Sequence, residues 1–579
     1  MVERGDYLVA FDAARAAVEN GASDPLVRYL GVLALARSGA TRNAQAFLDD
    51  WGLRTETELT PELEADVHAV QARLAKDHAF ASAGSDFPAR CRDAAQHYET
   101  IWDRLGSPFG GVNAATLWLL GGDEPRARAL AASVRTVCAD EAPAPGESAY
   151  WNAATLAECA LVLGECDAAR VALEAAAAAD FAGLGARAST RRQLRVLCAA
   201  IGIDSSLLRS LPVPAVVHFT GHVAGPSGRF PPAEQERIAA ELRAMLDGVA
   251  VGFAYGALAA GADIVVAEVL LRRRAELHVF LPGPPVDFIE ASVAPGGSDW
   301  VARFGRCIAA ATSVTIVTDE PDVTDPALLA FNARVAMGHA LLRARDLEAD
   351  ALQLAVWDGA AADPTFGTGA EVSAWHNSGA PTYTVAIEPR SATLPSNSGS
   401  RRRICAVLFS DFRGFGRLLD AQIETFLDVI LPPIVEVLDE YADVILDRNL
   451  WGDGLQVYFD DVAAAARCAL EVQECVRAMD LRAIDLPDDF GLRIGLHAGP
   501  VVPHDDPVRR TSALFGAQVT RAARVEPVAP EGEVYTTDPF AALLALNGAT
   551  DLGCQYVGRQ QTAKDHGVLP LYLLARTSL

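Results

Sequence analysis

Eleven residues near the C-terminus, Asn449–Phe459 (NLWGDGLQVYF), constrain the fold more than any other stretch. The apolar run ADVILD precedes the turn and the alternating run LQVYF follows it. Two strand-like runs around Gly452-Asp453-Gly454 read as a β-hairpin, because Gly and Asp accept the backbone angles of a tight turn. The turn lifts the Asp453 carboxylate to the tip of a sheet. Upstream, Ala406–Phe415 (AVLFSDFRGF) reads as a buried strand ending in Asp411, then a Gly-containing turn into a helix. If these strands are neighbours, Asp411 and Asp453 meet at one edge. Close carboxylates repel, so such a pair serves to hold a divalent cation. A cation beside a Gly turn at a helix N-terminus suits a nucleoside triphosphate.

The chain is 579 residues long, which implies three or four domains. At 51% hydrophobic residues it reads as globular, and no apolar run reaches membrane-spanning length. The start, MVERGDYLVAFDAARAA, lacks the basic-then-apolar layout of a signal peptide. A formal charge of −26 disfavours nucleic-acid polymers and anionic membranes as partners. Ten scattered cysteines without a C-x-x-C pair read as reduced, small apolar residues. A cytoplasmic protein is expected.

Residues 1–208 carry helical periodicity and almost no strand signal. Asp24-Pro25 offers an N-cap and a Pro at the first helical position, and LVRYLGVLALARSG follows. Helix, Gly turn, helix is the unit of a tetratricopeptide-like solenoid. Asn113–Leu117 and Asn152–Leu156 both read NAATL, each followed by a Gly break and an Ala/Arg-rich helix. These two units resemble the TRAFs-binding region of stress-activated MAP kinase kinase kinases, which implies a docking or regulatory surface for a protein partner. Trp118, Tyr150 and Trp151 read as core packing.

From Pro214 the pattern turns to alternating strands and helices: AVVHFTG, GVAVGFAYG, LHVFLP, SVTIVTD, LQLAVWD and TYTVAI. This predicts a doubly wound, Rossmann-like parallel sheet over 212–388, with ligands at the strand C-termini. Three turns sit at such ends: Thr220-Gly221-His222; Tyr255-Gly256 with Gly261-Ala262-Asp263; and Gly367-Thr368-Gly369-Ala370-Glu371. Gly turns opening onto helices can cradle phosphate. Together they resemble the SLOG superfamily of nucleotide-sensing domains, implying a small nucleotide-type ligand near Gly221, His222, Gly256, Asp263, Gly367, Thr368, Gly369 and Glu371. Residues 389–403, rich in Ser, Pro and Arg, read as a linker, with Arg401–Arg403 a solvated run.

Residues 404–579 predict a β-α-β-β-α-β core, the split ferredoxin-like arrangement of an α+β domain. FSDFRGF, WGDGLQVYF, LRIGLHAGPV (read as a strand pair), FGAQVTRAARVEP with PEGEVYTT, and YVG…AKDHG…LYLL follow in order. In that order they resemble the class III nucleotidyl cyclases, the adenylate and guanylate cyclase family. The resemblance implies two Mg²⁺ or Mn²⁺ ions per site on Asp411, Asp453 and the Phe412 carbonyl. It implies phosphate contacts from the turn Arg413, Gly414, Phe415 and Gly416, transition-state stabilisation by Arg524, and a grip on the outer phosphates by Lys564. In this family the carboxylates and the arginine of one site come from different protomers, so a homodimer is implied.

Three positions depart from the family pattern. Asn449 replaces the base-reading lysine, Ala513 (beside Ser512) replaces a base-reading Asp or Thr, and Thr520 replaces the ribose-orienting Asn. Asp565 also follows Lys564 where Gly is expected. Asn449 both donates and accepts, so it can read adenine without excluding guanine or a pyrimidine. Asp460-Asp461 reads as a helix N-terminal charge pair, and His497 as a satisfied core histidine. The expectation is a cyclase forming a 3′,5′-cyclic nucleotide from ATP. A cyclase-fold sensor without activity, and a hydrolytic middle domain using Glu371 and Asp263, stay open.

Overall fold

The structure is a computed structural model. It describes every residue except 83, 85, 141, 227, 361–364, 390–400, 482, 485, 488–489, 509, 564–566 and 578–579. Among the described residues, everything before Ala215 is helical or irregular, with α-helices running from Tyr7–Glu19 to Leu184–Ile201. Asp24 caps the helix Pro25–Arg37 by accepting the Leu26 N–H, and Pro25 fills its first position. The NAATL echoes fall on the helices Pro108–Leu120 and Glu147–Leu163, each paired with the next helix, Glu124–Asp140 and Cys166–Ala178. Trp118 and Tyr150 lie in the resulting core.

A second layer system begins with β1 (Ala215–Gly221), β2 (Val251–Gly256), β3 (Glu276–Leu281), β4 (Ser313–Ile316), β5 (Ala351–Trp357) and β6 (Thr382–Ala386). All pairings are parallel and the order is β4-β3-β2-β1-β5-β6. Helices cover both faces, which is why β1 and β5 are buried almost end to end and read as continuous apolar runs. Strand order reverses between β1 and β5, and a crevice opens there beyond their C-terminal ends.

The last eight strands are β7 (Arg403–Arg413), β8 (Ile445–Trp451), β9 (Gly454–Phe459), β10 (Gly491–Asp506), β11 (Thr511–Phe515), β12 (Val534–Thr537), β13 (Leu552–Gln561) and β14 (Val568–Arg576). Their order is β13-β14-β12-β10-β7-β9-β8, with β11 on β10. Two expectations need correction. LRIGLHAGPVV is one continuous strand, because Pro500 stays paired with Ile404 and falls after β10 leaves β12 and before it meets β11. Where one flank is unpartnered, a residue without an N–H costs no ladder bond. Arg402 is not a solvated linker residue either: its guanidinium donates to Asp325 (2.7 Å) and Glu320 (2.9 Å) of the middle unit.

The three units are packed together through the helix Pro326–Leu347. Its first turns wall the crevice of the parallel sheet. Midway it crosses the helix Asp538–Asn547 so closely that a Cβ on Gly338 would sit 2.0 Å from the Ala542 carbonyl oxygen. Only glycine permits that approach. Beside the crossing, His339 meets Asp538 (2.8 Å), and further on Arg343 donates to Asp6 (2.9 Å) of the N-terminal helices. The helix Tyr7–Glu19 in turn lays Phe11 against Tyr556 and accepts the Tyr556 hydroxyl on Asp12 (2.7 Å).

Candidate functional site

β7 and β9 are antiparallel neighbours, and the β8–β9 turn, with Gly452 at φ +68°, carries Asp453 back over the end of β7. Asp453 Oδ2 accepts the Phe412 N–H at 3.0 Å. Below, the Phe412 ring is buried between Phe426 and Phe490, with centroids 5.1 and 5.0 Å away, which pins the strand end beneath Asp411. Burial, followed by the adjoining Asp411 carboxylate, pushes Asp453 up to about 6. Two residues unsuspected from the sequence complete this corner. Arg493 donates to Asp411 Oδ2 (2.7 Å) and lies 3.0 Å from Glu526, whose carboxyl is pushed up to about 7 by burial, with the neighbouring aspartates adding to it and Arg493 opposing. The signal was a lone charge in an otherwise apolar strand, Arg493 in LRIGL.

The set fits a divalent cation. Among the described residues no group of three or more His, Cys, Asp or Glu side chains gathers at a potential metal site. What the corner offers is two carboxylates and the Phe412 carbonyl, hard oxygen donors in the small number Mg²⁺ takes from protein when phosphates and water complete its shell. The mutual repulsion that raises Asp453 is relieved by such an ion.

Beside the pair, Gly414 turns the chain at φ +91°, and a short 3₁₀ turn, Phe415–Arg417, follows; the α-helix proper begins at Asp420. The exposed Arg413 side chain is held by Glu531 (2.6 Å), so the turn would present backbone rather than this guanidinium to phosphate. Gly416 lies open. Asn449 stands on β8 opposite Gln456. Ala513 is buried on β11, whose next residue, Leu514, accepts the Tyr458 hydroxyl (3.1 Å). Thr520 and Arg524 lie on the helix Ala517–Val525 beyond Gly516. Thr520 is exposed, and the Arg524 Nε is buried without a hydrogen-bond partner among the described residues. No ion pair joins Arg524 to Asp411 or Asp453 within the chain, again among the described residues. Lys564 lies outside the described residues. Asp461 accepts the Ala464 N–H as an N-cap, and His497 is buried between Thr537 and Gln518.

The crevice at the β1/β5 switch encloses a cavity of about 830 Å³. Six of the residues picked out in the turns line it: Gly221, His222, Asp263, Gly367, Thr368 and Glu371. Gly256 and Gly369 are not in the lining; a Cβ on Gly256 would run into Phe219 instead. Burial, then the charge of Glu371, holds Asp263 well above the carboxylate range, and burial raises Glu371. His222 is drawn below its usual value by burial against the opposing pull of Asp358, which also pairs with Arg229. Asn332 lines the same space, and its buried Oδ1 has no hydrogen-bond partner among the described residues. The cavity is thus lined by two carboxyl groups whose burial disfavours their charge, an imidazole and an amide.

Residues 400–567 match the family described as Adenylate and Guanylate cyclase catalytic domain, and residues 7–118 match Tetratricopeptide Repeats-Sensor. The second match takes in the first half of the helical region, so the NAATL units lie mostly beyond it. A curated protein of Rhizobium meliloti (strain 1021) named "Putative adenylate cyclase 3" is 31% identical over 156 residues, 26% of this chain and 25% of that one. The chain thus spans about a quarter of that relative's length. Among solved structures, the adenylyl cyclase CyaB from P. aeruginosa aligns at 20% identity over 31% of this chain and 96% of that one, TM-score 0.27. The guanylate cyclase domain of RhGC from Catenaria anguillulae, in complex with GTP, aligns at 17% identity over 31% and 100%, TM-score 0.27.

Proposed function

We propose that the chain is a class III nucleotidyl cyclase that converts ATP to 3′,5′-cyclic AMP and pyrophosphate. The reading rests on one observation above others: Asp411 and Asp453 meet at a sheet edge inside the stretch that matches the cyclase catalytic domain. Mg²⁺ or Mn²⁺ held there would supply the charge that acidifies a ribose hydroxyl and steadies a triphosphate. The chain's own groups do the rest. The Arg413–Gly416 turn offers backbone N–H groups to the phosphates, Asn449 and Gln456 face the base, and Thr520 orients the ribose. Arg524, with its planar fork and unpaired Nε, stabilises charge on the α-phosphate. As the resemblance to class III cyclases implies, a working site takes Arg524 from a second copy, in a homodimer with two equivalent sites. The middle cavity takes a small nucleotide-type ligand and the helical repeats dock a protein, both acting as regulators.

The test incubates the full chain with Mn²⁺ and each of ATP, GTP, CTP and UTP. Cyclic AMP from ATP is expected. Cyclic product from another nucleotide corrects the base, and none from any of the four refutes the cyclase reading. For the cavity, a rise in melting temperature with AMP or ADP that disappears in Glu371→Ala is expected.

A further inference from the structure

A polar run leads from the middle and N-terminal units toward the helix that carries Arg524: its His339–Asp538 end is part-buried, its Thr537–His497–Gln518 end is buried, and the peptide link between Thr537 and Asp538 joins the two. It starts at Asp538, the first residue of the helix Asp538–Asn547. There Asp538 Oδ2 meets His339 Nε2 of the crossing helix at 2.8 Å, and Asp538 Oδ1 accepts the Tyr572 hydroxyl at 3.1 Å. Tyr572 packs edge-on against Tyr556 (5.2 Å), whose hydroxyl donates to Asp12 of the N-terminal helices. Both regulatory units therefore converge on one carboxylate. The next residue back, Thr537, is buried and bonds His497 Nδ1 (2.7 Å), and His497 Nε2 bonds Gln518 Oε1 (2.8 Å). Burial keeps His497 neutral, at about 3. With the Gln518 oxygen facing it, a neutral ring donates from Nε2 and accepts at Nδ1, so the Thr537 hydroxyl donates to it. Gln518 sits in the first turn of Ala517–Val525, two residues before Thr520 and six before Arg524.

We propose that this chain, Asp538–Thr537–His497–Gln518, positions the Arg524 helix, and that His339 and Asp12 set it from outside the catalytic unit. The inference rests on the cyclase reading for its functional meaning, but its structural content does not. Asp538 and Thr537 are consecutive, so a shift of Asp538 at the crossing moves the backbone that holds the Thr537 hydroxyl on His497, and the buried His497 passes it to Gln518. At the far end, a Cβ on Gly499 would meet Gln518 at 2.8 Å, so the amide is packed against β10. His497 bears directly on Gln518, and through it on the helix that carries Thr520 and Arg524. His339 is a positioning residue, outside the catalytic strands and distant along the chain from every proposed substrate contact.

The test uses the full chain with His339→Ala, Gln518→Ala and the double variant, read two ways. Amide hydrogen exchange over residues 517–525 should quicken in His339→Ala. Turnover of ATP with Mn²⁺ should fall about five-fold with KM nearly unchanged, the size of an ordinary coupling between sites. The double variant should lose no more than the worse single one, because both cut the same chain. His339→Lys, which keeps a donor facing Asp538, should recover part of the protection. Quickened exchange confined to 326–347 and 538–547, or additive losses in the double variant, would overturn the proposal. If the wild type makes no cyclic product, the cyclase reading fails alone and the exchange result still decides.

Discussion

At Asp453 a single side chain carries a conflict between stability and use. Its carboxylate sits half-buried against that of Asp411, and without a cation the pair repels. Asp453→Asn removes one charge and can still accept the Phe412 N–H. The expected outcome is a variant that melts higher than wild type in the absence of divalent ions, yet loses cyclic-nucleotide formation by at least about a hundred-fold. Calorimetry with chelator and a product assay with Mn²⁺ check the two halves; a variant that is both active and stable would remove Asp453 from the chemistry. The two aspartates were legible in the sequence because a G-D-G turn and a strand-ending Asp are local patterns. Arg493 and Glu526 were not, since a salt bridge between residues 33 apart leaves no local periodicity.

Elements were readable to the extent that their hydrophobic period was set by one neighbour. The inner parallel strands β1, β2, β3 and β5 read as short apolar runs because both their faces are covered, while the edge strands β4 and β6 are largely exposed. LRIGLHAGPVV reads as a strand pair yet forms the single strand β10, which stays whole across Pro500 because β12 and β11 meet it on either side of that residue. The crossing of Pro326–Leu347 over Asp538–Asn547 was invisible, since His339 and Asp538 stand 199 residues apart. That contact has a pH signature. Burial alone would lower His339, but the Asp538 charge and hydrogen bond outweigh it and the folded value is raised; for Asp538 burial works upward, and His339 outweighs it to lower the folded value. A raised histidine contributes fully below its unfolded value of about 6.5 and is lost as pH climbs through the folded one. A lowered aspartate contributes above about 3.9 and is lost as pH drops through its folded value. The crossing is therefore tightest at mildly acidic pH and loosens as pH climbs through the raised folded value of His339. His339→Gln should melt below wild type near pH 6, and the gap should close by pH 9; a gap that is constant with pH would remove the ion pair from the interface.

On the scale of the whole molecule, the placement of Arg524 decides how many chains make one site. Within one chain it pairs with neither aspartate among the described residues, while its Nε is buried and unsatisfied. A buried guanidinium nitrogen left without an acceptor is costly, and a substrate phosphate braced by cations on a second copy's carboxylates would satisfy it. In the homodimer proposed above, two-fold symmetry would give two identical sites, each drawing aspartates from one copy and arginine from the other. Asp453→Ala and Arg524→Ala homodimers should each be inactive for different halves of the same site. Unfolded to monomers and reassociated in equal amounts, they pair at random, so half of the dimers are mixed and each mixed dimer has one intact site of two. Activity should return to about a quarter of wild type, a figure that follows from the symmetry alone. Recovery near zero would place both residues in one chain's site or show that dimers do not exchange. A mixing control with fluorescently labelled copies separates those outcomes, because exchange without recovery leaves only the single-chain site.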